Sequence, residues 1–216
     1  MKKIIIVLLF MSISTAAFCQ NDVRGGMGIT FISIPALVDY INNQGIAPAN
    51  QQIGIFSSAV IFSGEADYSL NANHQIGVEV AYLINSYTFN QSIGLYKLDY
   101  GIVMPSVIYY YVIRDTGFNI KFGAGAGVRF VNLSQQWPAT PSAQSYSSTG
   151  FGLLFRADGN TFLSKDLFVN LGFDLRYDVN GKPKDGSQYL VNKTNQQNVS
   201  FNAFSAGIRL GMTYSF

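Results

Sequence analysis

Few side chains in this sequence can do chemistry. One His and one Cys occur among 216 residues, which excludes a Cys/His metal site and a disulfide framework. His74 stands in the polar stretch Asn71-Ala72-Asn73-His74 and reads as a turn residue. Hydrolysis by a nucleophile needs an imidazole within reach of it, and no such pairing is evident. Asp174 and Asp178 have the chemistry for acid–base work or for a cation. Arg176 lies between them on the same face, so a salt-bridged network accounts for all three. Gly123-Ala124-Gly125-Ala126-Gly127 has the glycines of a dinucleotide loop. The next residues are Val128-Arg129-Phe130-Val131, more strand, where that loop needs a helix. Glycines on an inward face instead leave room for large neighbours. Trp137, followed by Pro138, Pro141 and Tyr146, forms an aromatic loop that suits an interfacial anchor better than a ligand site. The expectation is a protein that is not an enzyme, with no cofactor and no metal.

Composition narrows the class. Only 12% of residues are charged, while 48% are hydrophobic and 14% aromatic. Soluble domains carry about 25% charged residues. The deficit excludes disorder and most nucleic-acid binders, so no nucleic-acid partner is expected. Residues 1–20 read as a secretory signal peptide: Lys2 and Lys3, an apolar run from Ile4 to Met11, then small residues. Cleavage near Cys19 or Gln20 removes the Cys; bulky Phe18 speaks against a lipid anchor there. Without Lys2 and Lys3 the 14 basic residues become 12, equal to the 12 acidic ones. No later segment offers ~20 consecutive apolar residues, so a helical membrane protein is excluded. Residues 21–216 form one domain.

That domain alternates. Phe204, Ala206, Ile208, Leu210, Met212, Tyr214 and Phe216 share one face, with small or polar residues and Arg209 on the other. Period two over such a length is a strand with two unlike faces. Eight such strands are predicted at about 23–34, 55–70, 75–89, 95–113, 117–133, 149–163, 167–180 and 198–216. Connections after the second, fourth and sixth are short. Those after the first, fifth and seventh are long and polar: Pro35–Gly54, Ser134–Ser148 and Gly181–Gln197. Pro35 to Ile41 has helical spacing with Pro at a plausible first position, and reads either as a short helix over the mouth or as a rim loop.

Face assignment supplies the strongest test. Arg24, Lys97, Lys121, Arg129, Arg156, Arg176 and Arg209 are expected on one inward face, with Glu65, Asp67, Glu79, Asp99, Asp158, Asp174 and Asp178. A basic residue on a lipid face costs about 2–4 kcal/mol at the midplane. The outward face is expected to carry aromatics near both ends, among them Phe56, Tyr100, Phe130, Phe151, Tyr177 and Phe204 at the loop end. Tyr68, Tyr110, Phe118, Tyr214 and Phe216 are expected at the turn end, with Ile102, Met104, Ile120, Leu171, Ile208 and Leu210 between. From Phe204 to Tyr214 the strand spans roughly 24 Å when tilted, the height of an apolar membrane band. Register shifts are expected near Pro105 or Gly159. A soluble ligand-carrying barrel would show the reverse parity.

The leader, the eight alternating strands and the terminal Leu210-Gly211-Met212-Thr213-Tyr214-Ser215-Phe216 together resemble the bacterial outer-membrane β-barrel, porin-like family. The resemblance implies an all-β, eight-stranded, antiparallel up-and-down barrel in the cell outer membrane. Both termini would be periplasmic. It implies outer-membrane lipids as partners, with barrel-assembly machinery and periplasmic chaperones during insertion. Leu210, Met212, Tyr214 and Phe216 match the family's assembly signal. An eight-stranded barrel is just filled by side chains. The expected role is therefore envelope integrity, adhesion or ligand binding through loops around a closed, salt-bridged lumen. A narrow channel for small solutes is the alternative.

Overall fold

The computed structural model describes residues 21–44, 46–92, 94–138, 140 and 142–216. The expected signal peptide and its cleavage point lie outside the described residues. Eight strands run β1 (Asp22–Ser33), β2 (Ser57–Asn71), β3 (His74–Gln91), β4 (Gly94–Asp115), β5 (Phe118–Gln136), β6 (Gln144–Ser164), β7 (Leu167–Val179) and β8 (Ala203–Ser215). Each pairs antiparallel with the next, and β8 pairs with β1 from Asp22↔Ser215 to Ser33↔Phe204. The sheet is closed, so the long strands leave no open edge for another chain to pair with.

Alternation explains why these segments become strands. Most place charged, small or polar residues on the inner face and large apolar ones outside; β4 is apolar on both faces. Ile208 and Phe155 are each 60% exposed, while Arg129 is 0% exposed. This is the inverse of a soluble globule, and only an apolar surrounding makes such an outside favourable.

Pairing is more regular than the sequence suggests. Gly159 stays in register with Ile120 and Leu171. Pro105 opposes Val80 on β3, and β4 keeps one register with β5 on either side of Met104 and Pro105. Proline lacks an N–H and interrupts the bridging there without shifting it. The register shifts lie instead at Ser69/Asn71 and Phe162/Ser164, beside turns. The turn after β4 closes through Gly117, at φ +88°, a conformation glycine adopts without strain.

Two strand limits differ from expectation. β6 starts at Gln144 rather than near 149, and β8 at Ala203 rather than near 198. The β5–β6 connection is therefore short, and both strands extend past the apolar band. The β7–β8 connection instead carries two-residue pairings, 184–185 with 188–189 and 191–192 with 197–198. After β1 comes a helix, α1 (Pro35–Asn43), with proline in its first turn. Leu37, Tyr40 and Ile41 are its buried residues, and they face the barrel mouth.

Candidate functional site: the lumen and its cap

The turn-end half of the lumen is ionic. Lys121 Nζ lies 2.7 Å from Asp22 and 3.0 Å from Asp67. Arg24 donates to Glu65 at 3.0 Å, to Asp67 at 2.8 Å and to Asp158. Arg156 reaches Glu65 and Asp174, each at 2.6 Å, and also Glu79. Glu79 also accepts from Arg176 at 2.9 Å and from Arg209 at 3.0 Å. Arg209 bridges back to Asp158 at 3.1 Å. Arg129 closes the stack by donating to Asp178 at 2.5 Å and to the Ser106 hydroxyl at 3.1 Å. Within the network, Tyr110 donates to Glu65 at 2.5 Å and the Arg24 guanidinium lies 5.0 Å from its ring centroid. All these charged groups are buried. Charge burial on this scale is tolerable because every carboxylate meets at least one guanidinium or ammonium donor, and Glu65, Asp67, Glu79, Asp158 and Asp174 meet two or three.

Glycine makes the space. A Cβ on Gly77 would collide with an Asp67 oxygen, and one on Gly123 would come within 2.5 Å of the Tyr110 ring. Gly123 of the glycine run in β5 thus accommodates Tyr110 from β4.

Two of the expected lumen charges are elsewhere. Lys97 and Asp99 face outward at the loop end of β4, where they pair with each other at 2.9 Å and their side chains are 48% and 39% exposed. The whole face assignment of β4 is inverted. Tyr100, Ile102, Met104 and Tyr110, expected toward lipid, are buried inside, and Val107, Tyr109, Tyr111 and Ile113 are outside. Both faces of β4 are apolar, so only the two charges distinguished them. Both charges lie on the part of the strand that rises above the apolar band, where outward charge costs little. Replacing Lys97 by Ala is expected to move unfolding free energy by less than about 1 kcal/mol, the range of exposed ion pairs. Denaturant titration in detergent checks it; a larger loss would place Lys97 in the buried network.

Asp22 joins the network although its position at the strand start gave no cue. It accepts from Lys121, Gln75 and the Ser215 hydroxyl, tying β1, β3, β5 and β8 together at the turn-end mouth.

Beyond Arg129 the lumen becomes apolar. Ile61, Leu83, Tyr96, Leu98, Tyr100 and Leu133 project inward from the strands. Leu37 and Ile41 of α1 meet them from above, and Leu190, Val199 and Phe201 of the β7–β8 connection complete the cap. Phe201 packs edge-on against Tyr100 at 5.5 Å between centroids. Gln135 donates to both Tyr40, at 2.6 Å, and Tyr96, at 2.9 Å. Burial pushes the Tyr40 phenol up to about 12, so it stays protonated. Trp137 belongs to this cap as well: it packs edge-on against Tyr96 at 5.1 Å, not as a free interfacial anchor. A period-two pattern cannot reveal such a cap, because its residues come from loops.

His74 is the first residue of β3, at the turn end of the outer wall. The Tyr109 hydroxyl is 2.5 Å from its Nδ1, and Tyr111 packs on it edge-on at 5.5 Å. The arrangement is an aromatic interface contact. Leu210, Met212, Tyr214 and Phe216 all face outward, each about half exposed or more.

A closed eight-stranded barrel, apolar outside and ionic within, defines a small outer-membrane β-barrel protein. Its fold is similar to neisserial surface protein A, with 14% identity over 91% of this chain and 97% of that one at TM-score 0.54. It is also similar to Ail, the attachment invasion locus protein of Yersinia pestis, at 11% identity, 92% and 99% coverage and TM-score 0.54. A major outer membrane protein of Thermus thermophilus matches at 14% identity, 92% and 99% coverage and TM-score 0.53. Identities this low establish the fold alone. No protein-family model and no curated protein sequence matches the chain.

Proposed function

We propose that this chain is a non-enzymatic outer-membrane barrel with a closed lumen, which stabilises the envelope and presents its loop end for binding at the cell surface. The observation that carries this reading is the filling of the barrel in two layers, an ion-paired network below an apolar cap. A diffusion pore needs a continuous wet path, and neither layer offers one. The long β1–β2 and β7–β8 connections at one end, against tight turns after β2, β4 and β6 at the other, support periplasmic termini and an external cap. The outward aromatic pattern of β8 fits recognition by the insertion machinery.

Single-channel recording on the refolded mature chain in a planar bilayer tests closure, after heat-modifiable gel mobility has shown folding. The expected record contains no steady openings. Reproducible steady conductance would replace this reading with a narrow channel for small solutes.

A further inference from the structure

The apolar band on the outer wall ends along one row of paired residues. Ile84 of β3 opposes Gly101 of β4, Gly101 opposes Asn132 of β5, Asn132 opposes Ser147 of β6, and Ser147 opposes Lys184 of the β7–β8 connection. Below this row the outward residues are Tyr82, Val103, Phe130 and Thr149, with Phe151 the next one down on β6; above it come Ser86, Asp99, Ser134 and Ser145. A groove of about 470 Å³ lies along the row. Its floor at Gly101 is bare backbone crossed by the Tyr82 ring, since a Cβ there would meet the Tyr82 hydroxyl at 2.7 Å.

The lining has a definite chemistry. Asp99 is held in place by Lys97 at 2.9 Å and by the Ser86 hydroxyl at 2.5 Å. Asp185 and Lys184 stand opposite, with Asn132 and three serines between. Two carboxylates face one lysine not already paired with them, which disfavours a polyanion. Carboxylate, amide and hydroxyl groups beside an aromatic ring suit a ligand rich in hydroxyls, whose donors they accept and whose apolar ring face the tyrosine covers. The groove's lower lip is the lipid-facing wall itself, so a ligand seated there sits at headgroup level.

We propose that this shelf binds the sugar headgroup of an outer-leaflet glycolipid, with the acyl chains descending over Tyr82 and Val103. The proposal rests on the reading that the loop end faces outward from the cell.

Native mass spectrometry of the mature barrel, released from nanodiscs containing phosphatidylglycerol and an uncharged diglycosyldiacylglycerol, tests it. The wild type should retain one glycolipid under activation that strips phosphatidylglycerol. The variant Asp99→Asn with Ser145→Ala should retain about tenfold less, the effect of losing a hydrogen bond to a charged acceptor. Ser145→Phe, which fills the groove without touching the ion pair, should do the same. Both positions are solvent-facing, and heat-modifiable mobility confirms that each variant is folded. Glycolipid retained no better than phosphatidylglycerol, or equally by the folded variants, would overturn the proposal. Equal binding of the free disaccharide would also overturn it, in favour of a soluble glycan. Surface labelling of a Ser187→Cys variant on intact cells separates the two readings: a label that fails to react overturns the orientation, whereas a reactive label with no glycolipid overturns the shelf alone.

Discussion

Replacing Glu79 by Ala is expected to lower unfolding free energy by about 3–5 kcal/mol, the cost of leaving buried charge without its partner. Glu79 is wholly buried and takes donors from Arg156, Arg176 and Arg209, which come from β6, β7 and β8. Asp174, the other carboxylate near these three guanidinium groups, lies 3.2 Å from Arg176 and 4.0 Å from Arg209. It already accepts from Arg156 and Arg176, so the alanine variant leaves these three guanidinium groups with one negative charge fewer than in wild type. Glu79→Gln keeps an acceptor but not the charge, and should fall between wild type and the alanine variant. Urea unfolding in phospholipid vesicles, followed by gel mobility, reads the change. A loss under about 1 kcal/mol, the range of exposed pairs, would mean that water screens the network and that the lumen is not dry.

The ionic half of the lumen was legible in the sequence for a physical reason. Parity is strict along a strand, and an outward charge in the band is costly, so Arg24, Glu65, Asp67, Glu79, Lys121, Arg129, Arg156, Asp158, Asp174, Arg176, Asp178 and Arg209 had one face open to them. All twelve are buried inside. The same rule misplaced Lys97 and Asp99, because it holds only at membrane depth, and β4 continues above it. Where the membrane ends is a property of neighbouring strands read together: Gly101 marks the boundary on β4 only because Ile84 and Asn132 flank it. The cap was still less visible. Its residues are drawn from α1, the β7–β8 connection and the loop ends of several strands, and no single segment carries the pattern. Alternation also has a consequence before folding. The other strands interleave polar and apolar residues, and β4, apolar on both faces, is bounded by Asp99 and Arg114, so none offers the ~20-residue apolar run that would halt the chain as a spanning helix.

Replacing Phe201 by Ala should loosen the cap while leaving the barrel folded. Phe201 is fully buried against Tyr100, its N–H donates to the Gly181 carbonyl at 2.8 Å, and its own carbonyl accepts from Asn180 at 2.9 Å. It therefore pins the returning end of the β7–β8 connection to its start. Removing a buried phenyl costs about 3–5 kcal/mol. The strands of the barrel are secured by their own ladders and by the ionic layer, so the loss is expected to appear as local opening of the connection. Lys184 and Lys193 lie within that connection and are exposed. Limited trypsin digestion of the folded protein should cut there at least about a hundredfold faster than in wild type, as the open population rises by that factor. The barrel fragment should keep its heat-modifiable mobility. Planar-bilayer recordings should remain silent, because the lumen is still blocked below by Arg129 and Asp178, donor and acceptor at 2.5 Å, and by the network beneath them. Steady conductance from this variant alone would show that the cap is the sole barrier. Equal cleavage rates in variant and wild type would show that Phe201 does not hold the connection down.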